Sequence, residues 1–129
     1  MPTVLVIDDD SMVRGLLVRA LTGARYTVIE AADGMEGLAL ARSHSVDVVV
    51  TDLIMPVQEG VETIMALRKE RPRLPIIAIS GGVTNSGLYL DIAGKIGASR
   101  ILAKPFTPRE LLQLIEQVLA EETQRIVSG

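Results

Sequence analysis

Four short apolar runs in this sequence each end at a residue that can do chemistry. Val4-Leu5-Val6-Ile7 leads into Asp8, Asp9 and Asp10, and Val46 to Val50 leads through Thr51 into Asp52. Ile76 to Ile79 leads into Ser80-Gly81-Gly82, and Ile101-Leu102-Ala103 leads into Lys104-Pro105. If these ends meet, Asp8, Asp9 and Asp52 outweigh Lys104 to leave a charge of about −2, which repels a phosphate until a cation neutralises it. Carboxylates without His or Cys suit a hard ion such as Mg2+, which shares its shell with phosphate oxygens. A carboxylate beside that ion can act as a nucleophile and form an acyl phosphate. Lys104 can hold a phosphoryl oxygen as a point charge, and Ser80 can donate to another. The chemistry is therefore metal-assisted phosphoryl transfer onto an aspartate.

Each residue also has a plainer reading. An Asp before an apolar helical stripe is commonly an N-cap. That role is assigned to Asp10 or Ser11, leaving Asp8 and Asp9 for the metal. Asp52 precedes Met55-Pro56 and Ser80 precedes two glycines, so either alone reads as a turn residue. Lys104 alone reads as a surface lysine. The convergence of four strand ends separates the chemical reading from these. His44, the one histidine, lies between two serines and is expected on a solvated surface.

The elements that must position these residues follow from periodicity. The apolar runs, with Thr27-Val28-Ile29 as a fifth, mostly lack polar alternation, so both faces of each strand should be covered. Helical stripes separate them. Met12, Val13, Leu16, Leu17, Ala20 and Leu21 form one, stopped by Gly23; Val61, Ile64, Met65 and Leu67 form another, ended near Pro72. A weaker helix follows Asp33-Gly34. Leu111, Leu112, Ile115, Val118 and Leu119 form the last, with Thr107 as N-cap, Pro108 at the first helical position and Glu110 completing a capping box. Between Gly81 and Gly97 the five glycines predict one short helix near 87–96 after a mobile loop. Five βα units imply an α/β domain with helices on both sides of a parallel sheet. The commonest winding at this size is the doubly wound order 2-1-3-4-5, with its crevice at the C-terminal ends of strands 1 and 3.

Composition bounds the rest. One domain is expected from 129 residues, and 48% hydrophobic content with a mean hydropathy of +0.36 excludes a disordered tail. The net charge of −3 argues against nucleic-acid binding, and the absence of cysteine excludes disulfides and thiol nucleophiles. No apolar run approaches a membrane span, and no charged leader precedes Val4, so a cytoplasmic domain is expected. No GxxxxGK[ST] or GxGxxG pattern supports nucleotide binding.

These residues carry a family resemblance. Val6-Ile7-Asp8-Asp9, Thr51-Asp52-Leu53-Ile54-Met55-Pro56 with Gly60, Ala78-Ile79-Ser80-Gly81 and Lys104-Pro105-Phe106 together resemble the receiver domain of two-component response regulators, the CheY-like domains typified by the bacterial chemotaxis regulator. The resemblance runs from Val4 to about Leu119. It implies a flavodoxin-like three-layer (βα)5 sandwich. It implies Asp52 as phosphoacceptor, Asp8 and Asp9 as the acidic pair that holds Mg2+, and a backbone carbonyl of Ile54 as a further metal ligand. Ser80 matches the switch hydroxyl and Lys104 the phosphate-binding lysine, with a Lys104-Pro105 bond that is typically cis. The implied partner is a sensor histidine kinase or a histidine phosphotransfer protein; neither nucleic acid nor membrane is expected. The receiver is expected over residues 1–122, with 123–129 as a polar tail and no output domain after it.

Two departures stand out. The position three before the lysine, commonly Tyr or Phe in receivers, is Ile101, so the usual coupling of hydroxyl to aromatic ring is missing. The stretch from Ser80 to Lys104 is slightly long and rich in glycine. Two other classes stay open. Asp8 and Asp10 have the Asp-x-Asp spacing of haloacid-dehalogenase-type phosphatases, which would make Asp8 the nucleophile. A receiver fold used as an unphosphorylated adaptor is the other.

Overall fold

The computed structural model describes residues 1–53, 57–80 and 95–128. Strands β1 (Thr3–Ile7), β2 (Thr27–Ala31), β3 (Val48–Asp52), β4 (Ile76–Ser80) and β5 (Arg100–Ala103) form one sheet in the order β2-β1-β3-β4-β5. Every pairing is parallel. Helices α1 (Ser11–Gly23), α2 (Gly34–Ser43), α3 (Val57–Glu70) and α4 (Pro108–Ser128) cover its two faces. The fold is the α/β, flavodoxin-like sandwich that the sequence implies. The short helix expected near 87–96 falls almost entirely outside the described residues.

The continuous apolar runs divide strictly by parity. Leu5, Ile7, Val49, Ile76 and Ala78 pack with Ala41 of α2 and with Ile64 and Leu67 of α3. Val4, Val6, Val48, Val50, Ile77 and Ile79 pack with Leu17 and Leu21 of α1 and with Leu111, Ile115 and Val118 of α4. A strand covered on both faces needs apolar residues at every position, which is why alternation is absent. Each fully buried Leu or Ile stabilises the fold by roughly 1.5–3 kcal/mol through area removed from water.

Among the boundaries that differ from the periodic reading, two have clear physical reasons. β3 runs two residues later than its apolar run, because Thr51 pairs with Ile7 and Ala78, and Asp52 pairs with Ile79. Ladder partners, not hydrophobicity, set that strand end. Gly23 is the last residue of α1, and the left-handed turn falls on Arg25, at φ 72°.

The weakness of α2 in sequence also has a structural cause. A Cβ on Gly37 would lie 2.4 Å from Cδ1 and 2.8 Å from Cγ1 of Ile7. Glycine therefore lets α2 lie close over β1, at the expense of helix propensity. Caps then define the helix starts. Asp10 accepts from the N–H groups of Met12 (2.9 Å) and Val13 (3.3 Å), and Asp33 accepts from Glu36 N–H (2.8 Å). Thr107 and Glu110 form the expected capping box, with Glu110 N–H donating to Thr107 Oγ1 at 3.1 Å and Thr107 N–H to Glu110 Oε1 at 3.3 Å. The α4 helix continues through the segment 123–128.

The strand that carries Lys104 is anchored at its other end. Arg68 of α3 donates from Nε and Nη2 to the Gly97 carbonyl, at 3.0 and 2.7 Å, and from Nη1 to the Pro72 carbonyl at 2.7 Å. Gly97 takes φ 112°, a left-handed conformation that favours glycine. Ser99 Oγ accepts from Ile76 N–H at 3.1 Å and so joins the starts of β4 and β5.

Candidate functional site

The C-terminal strand ends bring the expected residues to one mouth. Asp8 follows the last ladder residue of β1 and is completely buried; Asp52 ends β3 and is 4% exposed. Ser80 ends β4 and is buried, while Asp9 is exposed. Lys104 extends from β5 past the end of β4, and its Nζ donates to Asp52 Oδ2 at 3.3 Å. Its backbone N–H donates to the Ser80 carbonyl at 2.9 Å, so the same residue ties β5 to β4. The Lys104-Pro105 bond is cis. Ile54, Met55, Pro56, Gly81 and Gly82 lie outside the described residues.

Asp8 is held on several sides. Its N–H donates to the Ala31 carbonyl at 3.1 Å, and its Oδ1 accepts from Asp10 N–H at 2.9 Å. Among the described residues its Oδ2 is buried without a hydrogen-bond partner, as is Ser80 Oγ. A buried polar atom left unpaired is costly, so two such atoms at one mouth point to a missing ligand. Burial pushes the Asp8 carboxyl up to about 6 from an ordinary 3.8. The charges of Asp52 and Asp9 push the same way, while the Asp10 N–H and the Lys104 ammonium oppose them. Burial, more than the neighbouring carboxylates, raises the Asp8 pKa, and a bound cation would offset both.

The donor set is oxygen only, which fits Mg2+. Among the described residues no three His, Cys, Asp or Glu side chains close around one point. Mg2+ does not need such a cage, because it usually keeps several waters and takes one or two carboxylates. The Asp10 carboxylate is committed to the α1 cap, which removes it from the Asp-x-Asp chemistry that its spacing allowed. Gly60 lets the first turns of α3 lie against the end of β3, since a Cβ there would be 3.2 Å from the Asp52 carbonyl.

The chain's residues 4–116 match the family described as the response regulator receiver domain. The chain belongs to that family. Among solved structures, this receiver is similar to the CheY-like receiver domain protein from Methanospirillum hungatei JF-1, with a TM-score of 0.87 and 27% identity, covering 97% of this chain and 98% of the other. It is also similar to the chemotaxis protein CheY4 of Vibrio cholerae, with a TM-score of 0.83 and 33% identity over 92% of this chain and 98% of that one. Among curated proteins it is 31% identical to the alkaline phosphatase synthesis transcriptional regulatory protein PhoP of Bacillus subtilis, covering 90% of this chain and 48% of that protein. It is 35% identical to the sensor kinase CckA of Brucella abortus, covering 93% of this chain but 13% of the kinase. The receiver thus spans about half the length of PhoP, and a small part of CckA. A receiver domain implies a histidine kinase as its partner.

Two features of this receiver were not legible as site residues. Arg14 of α1 donates from Nη1 to the Asp8 carbonyl at 2.6 Å and from Nε to Glu30 Oε1 at 3.0 Å. The available signal was Glu30, the one charged residue of β2. Thr51 Oγ1 is also buried without a hydrogen-bond partner among the described residues. Beside the mouth, Val13, Leu16 and Ala20 of α1 face Pro105, Phe106 and Pro108 across an apolar groove of about 530 Å³. His44 is exposed, with Nδ1 close to Ser43 Oγ and the Leu40 carbonyl. No helix among the described residues is long and apolar enough to cross a membrane.

Proposed function

We propose that this receiver accepts a phosphoryl group on Asp52 from a phosphohistidine of a sensor histidine kinase or histidine phosphotransfer protein. The observation that carries this reading is the Lys104–Asp52 contact at 3.3 Å, in a mouth that also holds Asp8 Oδ2, buried and without a partner among the described residues.

An Asp52 oxygen attacks phosphorus in line. The new O–P bond forms as the N–P bond of phosphohistidine breaks, and that electron pair leaves with the imidazole nitrogen. Asp8, Asp9, Asp52 and the Ile54 backbone carbonyl would hold Mg2+, which when bound neutralises charge and polarises phosphorus. Lys104 exchanges part of its contact with Asp52 for a phosphoryl oxygen. Ser80, whose hydroxyl has no other partner among the described residues, donates to a second oxygen. The added group brings roughly −1.5 to −2 charge, as in other phosphoresidues, and biases the loops that carry Ser80 and Lys104.

The chain performs only its own phosphorylation and dephosphorylation and turns over no external substrate. Residues 1–122 serve as the receiver, in the cytoplasm, and 123–128 extend α4 beyond it. Output passes through protein contacts. Ile101, half-buried and in register with Ala78, replaces the aromatic switch, so the readout does not depend on an aromatic rotamer.

Incubation with acetyl phosphate and Mg2+, read by intact mass, tests the reading. The expected result is an adduct of about 80 Da that Asp52→Asn abolishes. No adduct would favour an adaptor role, and an adduct mapped to Asp8 would overturn the assignment of the nucleophile.

A further inference from the structure

We propose that Arg14 is a positioning residue for the metal-binding acids, with Glu30 as its orienter. The inference rests on the reading that Asp8 and Asp9 hold Mg2+. The ladder of β1 ends at Ile7, which pairs with Ala31 and Thr51. The next carbonyl, that of Asp8, has no strand to accept from, and Arg14 Nη1 supplies the donor at 2.6 Å. The N–H of Asp8 is held by the Ala31 carbonyl at 3.1 Å. Both backbone polar groups of that residue are therefore fixed, and together with the Asp10 N–H on Oδ1 they set the direction of its carboxylate and the start of the peptide that carries Asp9.

A guanidinium suits this task because its donors are held in one rigid plane. Glu30 Oε1 takes Nε at 3.0 Å, which sets the plane and leaves Nη1 aimed at the carbonyl. The Arg14 side chain is 17% exposed and that of Glu30 is 53% exposed. A pair this open contributes little to stability by itself. Its consequence is orientation, as with the outer partners of metal ligands generally.

Charge and position make opposite predictions at this residue. Arg14 is a cation beside an acidic mouth, so as a charge alone it opposes Mg2+. Removing it would then tighten the metal. As a positioning group it holds Asp8 and Asp9 in place, and removing it loosens the metal.

The test is Mg2+ titration of the full chain by calorimetry and by amide NMR shifts, for wild type, Arg14→Gln, Arg14→Lys, Glu30→Ala and Leu21→Val. Leu21 is buried on α1 at the end away from Asp8, so its variant controls for lost stability alone. Arg14→Gln is expected to weaken Mg2+ by about tenfold, Glu30→Ala by less, and Leu21→Val not at all. Arg14→Lys, which keeps the charge but loses the planar fork, is expected to restore affinity only in part. Unchanged or tighter binding in Arg14→Gln overturns the inference, as does an equal loss in Leu21→Val. A wild-type chain that binds no Mg2+ overturns the metal reading itself, and the positioning role with it.

Discussion

Lys104 Nζ lies 3.3 Å from Asp52 Oδ2, although 52 positions separate them and β4 stands between their strands. The pair joins a nearly buried carboxylate to a lysine side chain that is 31% exposed. The ammonium thus has one side on the acid and another open toward an arriving group. That arrangement suits stabilisation of charge that develops during transfer more than it suits support of the fold.

Lys104→Ala is accordingly expected to slow phosphorylation of Asp52 by about 100-fold, the scale seen when one preorganised donor is removed from a developing oxyanion. Initial rates of acetyl phosphate labelling, measured by intact mass, check this. Circular dichroism should show the fold retained. A rate within twofold of wild type would show that Lys104 takes no part in the transfer.

The raised pKa of Asp8 makes metal-free stability depend on pH with a definite sign. Between 3.8 and about 6 the native chain binds more protons at Asp8 than the unfolded chain does. Asp8 therefore contributes a stability that falls as pH rises through that window and stays lost above it. Urea midpoints in EDTA should show this decline across pH 4 to 6, approximately. Asp8→Asn should remove that component of the slope. A wild-type chain whose Asp8 component rises with pH would contradict the burial-driven shift.

Ser80 and Thr51 both bury a hydroxyl without a partner among the described residues, yet they should respond differently to its removal. Thr51 pairs with Ile7 and Ala78, residues of the apolar layer under α2 and α3. Thr51→Val should raise stability by about 1 kcal/mol, because it removes an unsatisfied polar atom and keeps the shape. Phosphorylation should be unaffected. Ser80→Ala should likewise not destabilise the chain, but it should blunt the NMR shift changes that beryllofluoride causes in wild type. Paired urea melts and beryllofluoride titrations separate the two.

Gly37→Ala should destabilise the fold despite alanine's better helix propensity, since Ile7 is fully packed and its side chain lies within 2.8 Å of the new Cβ. The expected loss is about 1–3 kcal/mol, the usual range for overpacking. Ile7→Val removes the nearest atom, so the double variant should lose less than the sum of the two singles. A double-mutant cycle in urea measures this coupling, and strict additivity would refute the contact.

Much of this protein is legible in the chain alone. The apolar runs reveal five strands because strands covered on both faces must be apolar throughout, and the parallel layered fold follows from their alternation with helices. Asp52, Ser80 and Lys104 stand out because each breaks an apolar run at the same end of a strand. Asp10 reads as a cap because its chemistry is local, and the Thr107–Glu110 box is local in the same way.

Long-range relations needed the tertiary structure. Parity along the strands sends Val50 and Asp52 toward one face and Thr51 toward the other, but only the ladder register carries β3 on to Asp52. Gly37 reads as a weak helix residue until Ile7 is seen beneath it. Arg14 reads as a surface charge until the end of the β1 ladder leaves the Asp8 carbonyl in need of a donor. The physical reason is common to all three. Periodicity and capping involve neighbours a few residues apart, whereas close approach and hydrogen-bond satisfaction depend on which distant segments the sheet order brings together.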